Sequence, residues 1–205
     1  MLAFIGTIVL LRGVSRVKEF DEAEVLDQAL ELFRARGFKQ TSFSELVDEL
    51  GVSRQSLYDT YGDKQTLYQT ALKRYIDRAL DGLRRKLEDP APVRQVFTEL
   101  FERMIAGNCA GKSPGCFIVN SMVEQAPHDA DARALAMAHA REIEALFASR
   151  LSAAQRKGEI PPHKDPVALA RFLYNTVLGT AVAIRAFGPQ ESLRQNAQLA
   201  LQLLD

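Results

Sequence analysis

Twenty-four residues, Thr41 to Lys64 (TSFSELVDELGVSRQSLYDTYGDK), constrain this chain most. They permit little besides two short helices at a tight turn and the start of a third. Thr41 or Ser42 supplies the short hydroxyl side chain that accepts from the free backbone N–H groups of a helix start. Phe43, Leu46, Val47 and Leu50 recur at helical spacing and make one apolar face. Gly51 stands where a helix end calls for a left-handed residue without a Cβ. Ser53 is a second N-cap, Leu57 points back inward, Gly62 ends the second helix, and Asp63 caps the helix that begins at Lys64. A helix, a Gly-containing turn of a few residues and a second short helix form a helix-turn-helix.

The first turn of the second helix carries Arg54, Gln55 and Ser56 side by side. A guanidinium bonds guanine bidentately, an amide does the same to adenine, and a serine hydroxyl adapts to either. The helix N-terminus adds partial positive charge suited to phosphate. Tyr58, Tyr61 and Lys64 are of the type that grips the DNA backbone and fixes register. The expected DNA-binding set is therefore Thr41, Ser42, Ser53, Arg54, Gln55, Ser56, Tyr58, Tyr61 and Lys64. Arg16 and Lys18 join it as a short basic arm ahead of the first helix.

Upstream, Asp21 to Phe38 (DEAEVLDQALELFRARGF) places Val25, Leu26, Ala29, Leu32 and Phe33 on one helical face and closes at Gly37. The pieces ALELFxxxGF (Ala29 to Phe38), TSF (Thr41 to Phe43), GVSxxSLYxxY (Gly51 to Tyr61) and DKxxL (Asp63 to Leu67) together resemble the N-terminal domain of TetR-type, tetracycline-repressor-like bacterial regulators. The match is dense over roughly 47 residues of the 205, and beyond it the likeness is in helical layout only. The resemblance implies a homodimer that sets one such domain on each half of a palindromic DNA operator. It also implies a C-terminal domain that binds a small-molecule effector.

Charge runs against a general attraction to nucleic acid. Lys+Arg and Asp+Glu both number 26, so the chain is neutral. Between Val14 and Lys64 seven basic residues face eleven acidic ones, a net of −4. Specific binding therefore has to lean on base contacts and on dimerisation rather than on a basic surface. Two cysteines, Cys109 and Cys116, and three histidines fall in no zinc-type spacing, and no cofactor or metal is expected. Two cysteines in a chain of this size do not make a secreted disulfide scaffold, which points to a reducing cytoplasm. No nucleophile–base spacing or phosphate loop argues for an enzyme.

The remaining sequence reads as helices throughout, for an all-α fold of about nine. Residues 1–18 are expected to be an unstructured extension with the basic arm, 19–64 the DNA-binding domain and 65–205 the effector-binding and dimerisation domain. A long helix from Asp63 to Leu87 links the last two, with Leu67, Ala71, Leu72, Tyr75, Ala79, Leu83 and Leu87 expected inside. Helices are expected over Val93–Ala106, Cys116–Ala126, Asp129–Lys157, Asp165–Phe187 and Gln190–Leu204. The fourth of these starts on an Asp cap with Pro at its first position. It is apolar on every side, which calls for a partner chain on one face; Ala181 is expected among the partner-facing positions.

An effector site between these helices needs apolar walls and a few polar groups. The candidates are Phe97, Phe101, Met104, Cys116, Phe117, Asn120, Glu124, His139, Ile143, Phe147, Tyr174 and Val177. Cys116 at a helix start, with Cys109 seven residues before it, leaves a thiol-based redox or electrophile sensor as an alternative. A helical enzyme or scaffold whose helix-turn-helix is incidental is the other.

Overall fold

The structure, a computed structural model, describes residues 20–106 and 115–205. Within them the chain forms nine helices and no strand: α1 Glu22–Arg36, α2 Phe43–Leu50, α3 Arg54–Tyr61, α4 Lys64–Leu87, α5 Val93–Ala106, α6 Phe117–Glu124, α7 Ala130–Arg156, α8 Pro166–Phe187 and α9 Glu191–Gln202. Arg16, Lys18 and Cys109 lie outside the described residues.

Short-range signals set the helix ends. Asp21, Ser42, Ser53, Asp63, Asp129 and Asp165 each accept from backbone N–H groups in the first turn that follows. Ser42, not Thr41, caps α2, in a reciprocal box with Glu45; such a cap is worth about 1 kcal/mol. Gly51 closes α2 at φ 64°, in the left-handed region where a Cβ is costly. Cys116 precedes α6 without any side-chain capping bond.

α1, α2 and α3 pack around the first turns of α4. Phe33, Leu46, Leu57, Leu67 and Tyr68 are essentially inaccessible there, and Phe33, Phe38 and Tyr68 meet edge to face or stacked. The rest of α4 runs on among α5 to α9. At 1.5 Å per residue its 24 residues span about 36 Å. Tyr68 bridges the two regions by meeting Phe117 of α6 at 5.3 Å. Along the second half of α4 the core-facing residues are Ile76, Leu80 and Leu87. Tyr75 and Leu83, expected inside, are half-buried against the core and also line a cavity, while Ala79 is exposed at its wall.

α8 lies along α7 and against α5, α6 and α9. By length and composition it could cross a membrane, at a mean hydropathy of 1.5. One side of it is buried through Leu169, Ala170, Leu173, Tyr174, Ala181 and Ile184. Ala181 therefore faces inward, against the expectation that it meets a partner. The opposite side leaves Ala168, Phe172, Asn175, Gly179, Val182 and Ala186 exposed at alternating spacings of four and three. Leu199 and Leu203 of α9 are exposed as well.

Asp27 of α1 ties this helix to α4. Its carboxylate takes Arg74 at 2.6 and 2.9 Å and Arg78 at 2.7 and 2.9 Å. The Arg74 bonds, then those of Arg78, hold its pKa well below the usual carboxylate range. A depressed carboxylate pKa adds stability above the unfolded value, near 3.9, and that stability is lost as pH falls through the folded value. We expect Asp27→Asn to lower the urea midpoint at pH 6–7, and the gap from wild type to shrink below about pH 4. A gap that is unchanged across this range would show that the carboxylate charge is not what binds the two helices.

Candidate DNA-reading helix and ligand cavity

α3 is held from beneath by one buried residue, Leu57, and from the side by Phe43, which stacks on Tyr58 at 4.4 Å. Ser53, Arg54 and Gln55 are exposed and Ser56 is half-buried, so the first turn of the helix is presented outward. The turn is ordered within itself. Ser53 caps Ser56 N, and the two hydroxyls lie 2.8 Å apart. Arg54 donates to Ser44 Oγ at 2.7 Å while its guanidinium sits 5.3 Å from the Phe43 ring centre. Gln55 donates to Asp59 at 2.7 Å. Ser44 and Asp59, which accept from Arg54 and Gln55, are themselves exposed, so exchanging them for base edges leaves no buried group unpaired.

Three of the expected DNA contacts are bound into the fold. Thr41 is fully buried and its hydroxyl donates to Gly37 O at 2.8 Å, which removes it from any outer surface. The Tyr61 hydroxyl donates to Glu22 O at 3.0 Å, joining α3 to α1. Lys64 donates to Phe38 O and Thr41 O at 3.0 and 2.9 Å and lies 4.0 Å from the Phe38 ring centre. Its ammonium thus closes the carbonyls of the α1–α2 connection and is not a free phosphate clamp. Ser42 and Tyr58 remain exposed beside the reading turn.

In the helices after α4, a cavity of about 650 Å³ opens between α4, α5, α6, α7 and α8. Met104, Cys116, His139, Ile143, Phe147, Tyr174 and Val177 line it, as the sequence reading expected. Five other candidates do not. Phe97 and Phe101 are buried behind the wall, where Phe97 supports Phe147 edge to face at 4.9 Å. Phe117 points the other way along α6, between Tyr68 and Tyr75. Asn120 lines a smaller cleft between α6 and α8. Tyr75, Ile118 and Leu178, not among the expected pocket residues, also line it. The Tyr75 hydroxyl lies 3.6 Å from Cys116 Sγ, and burial first, then the thiol, raises its pKa.

Glu124 does something the sequence gave no sign of. From the end of α6 its carboxylate accepts Lys39 N at 2.8 Å and Phe38 N at 3.2 Å, gripping the α1–α2 connection. A Cβ built on Gly37, which has φ 85°, would come within 2.8 Å of that carboxylate. Two more bonds cross beside it: Arg34 Nε to Gly115 O at 3.1 Å, and Arg185 of α8 to Ala35 O at 3.3 Å. Gln65 of α4 also donates to Asp129, the cap of α7. The end of α1, the α1–α2 connection and the start of α4 are thus pinned to α6, α7 and α8 by side chains whose partners are mostly backbone.

Comparison with known proteins settles what this arrangement is. Residues 25–71 match the family model described as "Bacterial regulatory proteins, tetR family", and residues 93–200 match the "Tetracyclin repressor-like, C-terminal domain". The chain belongs to the TetR family. It is 32% identical over 194 residues to the HTH-type transcriptional regulator YezE of Bacillus subtilis, covering 94% of this chain and all of the relative. It is also 32% identical over 191 residues to the HTH-type transcriptional repressor ComR of Escherichia coli, covering 92% and 90%. Among solved structures, a cysteine mutant of the TetR family regulator CifR complexed with 26-bp operator DNA superposes with a TM-score of 0.82. It is 25% identical and covers 93% of this chain and 100% of that one. The chain is thus a DNA-binding transcriptional regulator of this family, and its helix-turn-helix is α2–α3.

The Glu124 grip generates an expectation of its own. Glu124→Gln keeps the size but removes the charge that strengthens bonds to backbone N–H groups. Amide hydrogen exchange of Phe38 and Lys39 should rise several-fold in this variant while the buried residues of α7 and α8 keep their protection. Unchanged exchange at these two amides would show that the grip carries no energy.

Proposed function

We propose that this regulator is a repressor. In this reading two copies bind a palindromic operator through α3, and occupation of the α4–α8 cavity by a small molecule releases them. The observation that carries the reading is the outward turn Ser53–Ser56, whose polar side chains are preset against exposed partners only. The repressor ComR, similar along nearly its full length, supports the sign of regulation. The cavity, with apolar walls, a few polar groups and α4 for one side, supports control by a ligand. In this reading the protein works in the cytoplasm and has no catalytic task.

The outer stripe of α8 supports the dimer. Phe172 and Val182 are 46% and 49% exposed, and Gly179 between them lets a second helix approach closely. Spacings of four and three are those of helices that pack side by side. Leu199 and Leu203 extend this surface onto α9, so that two copies would form a four-helix interface about a twofold axis. Val182→Glu should turn the protein into a folded monomer, as read by sedimentation at micromolar concentration. A wild-type protein that sediments as a monomer removes the basis of the proposal.

A thiol-responsive regulator is a second reading, favoured by one observation: Cys116 lines the cavity with its Sγ beside Tyr75. Release of operator DNA by peroxide in the wild type, and its loss in Cys116→Ser, would select this reading over simple ligand release.

Selection of bound sequences from random DNA tests the central claim and yields the operator. On that operator Gln55→Ala should cost roughly 1–3 kcal/mol per half-site and relax preference at one base pair. Half-sites should lie about one helical turn apart, or a multiple of it. Because seven basic residues stand against eleven acidic ones between Val14 and Lys64, lost base contacts should drop binding to background rather than merely loosen it. Full affinity and unchanged preference in both Gln55→Ala and Arg54→Ala would remove α3 as the reader.

A further inference from the structure

Two polar groups in the wall of the α4–α8 cavity lack what buried polar groups normally have. Tyr174 is 4% exposed and His139 6% exposed. Neither Tyr174 Oη nor His139 Nδ1 has a hydrogen-bond partner among the described residues. A buried hydroxyl or ring nitrogen left unpaired costs free energy, and such groups are rare in folded proteins unless something else satisfies them. Both side chains line the same space, together with apolar residues that include Ile143, Phe147 and Val177.

The charge around this space has one sign. Arg34, Arg78, Lys86 and Arg103 line it, and among the described residues in its wall there is no Asp or Glu. Three of the four cations are already engaged: Arg34 with Gly115 O and Glu31, Arg78 with Asp27, and Lys86 with Asp89 and Glu99. Glu144, the acid whose charge reaches Tyr174, pairs with Arg171 at 3.6 Å and is not part of the wall.

We infer that the cavity takes an apolar molecule without positive charge, whose oxygen acceptor is bound by the Tyr174 hydroxyl with His139 Nδ1 as the second polar contact. The inference rests on reading the cavity as a ligand site. The donor role follows from protonation. Burial pushes Tyr174 up to about 12, so it keeps its proton at any physiological pH and donates it. Burial lowers the His139 pKa, so the imidazole stays neutral there and adds no charge of its own. A ketone, ester or carboxylic acid on an aliphatic or aromatic body meets these demands. A cationic ligand would find no carboxylate in the described wall to pair with, and a buried unpaired charge is strongly disfavoured. The volume, about 650 Å³, is in the usual range of small-molecule pockets.

Three probes share one phenyl-alkyl body: benzylacetone carries a ketone, phenylbutanoate a carboxylate and phenylbutylamine an ammonium group. Calorimetric titration of the wild-type protein should show the first two binding at least tenfold more tightly than the third. Tyr174→Phe should weaken benzylacetone about tenfold. It should also melt no lower than wild type, because it removes a hydroxyl that has no partner. Equal or tighter binding of the amine, no binding of any probe at millimolar concentration, or unchanged affinity in Tyr174→Phe would each overturn the inference. The same titrations in the presence of selected operator DNA separate it from the functional reading. A probe that binds as expected without weakening operator binding leaves the ligand class standing and removes the cavity as the control site.

Discussion

One unbroken helix sets the terms for the rest of the molecule. The first turns of α4 belong to the core that holds α2 and α3, and its later turns wall the cavity. A helix resists bending because every interior residue is bonded to its neighbours a turn away, and α4 contains no Pro to break that ladder. A change in its tilt at the cavity end must therefore be felt at the DNA-reading end. Gly82, at the cavity wall, is its single glycine and leaves room there without interrupting the helix.

The polar ties act on that lever. Arg78 both bonds Asp27 of α1 and lines the cavity, so one guanidinium faces the DNA-binding segment and the ligand space together. Glu124, Arg34 and Arg185 fix the end of α1 and the α1–α2 connection to α6 and α8 through backbone groups. Backbone partners do not depend on side-chain identity at the receiving end, so this attachment survives sequence change in the α1–α2 connection. It does not survive a side chain at Gly37 unless the Glu124 carboxylate moves.

The helices and caps were legible in the sequence because their signals are local: a capping hydroxyl, a positive-φ glycine, an apolar repeat. So was the outward placement of the first turn of α3, since Arg54, Gln55 and Ser56 need only a cap before them and Leu57 beneath. The cavity was partly legible. Seven residues expected in its wall are there, but Phe97, Phe101 and Phe117 fill the core behind it, and periodicity cannot tell a residue that packs on protein from one that packs on empty space. For the same reason, that Tyr75 and Leu83 line the cavity as well as packing on the core was not legible. Lys64, Tyr61 and Glu124 bond to groups 23 to 86 residues away in the chain, and a sequence pattern carries no information about such partners.

The slender footing of α3 has a consequence for how such a regulator changes over time. Leu57 is the helix's single buried residue, so selection for a folded protein acts on that position and leaves Arg54, Gln55 and Ser56 almost free. Substitutions there come at nearly no cost in folding. If α3 reads DNA and the cavity takes the effector, as proposed, the turn can drift to a new operator while the cavity and its lever stay as they are, and the same ligand response would pass to a different set of genes.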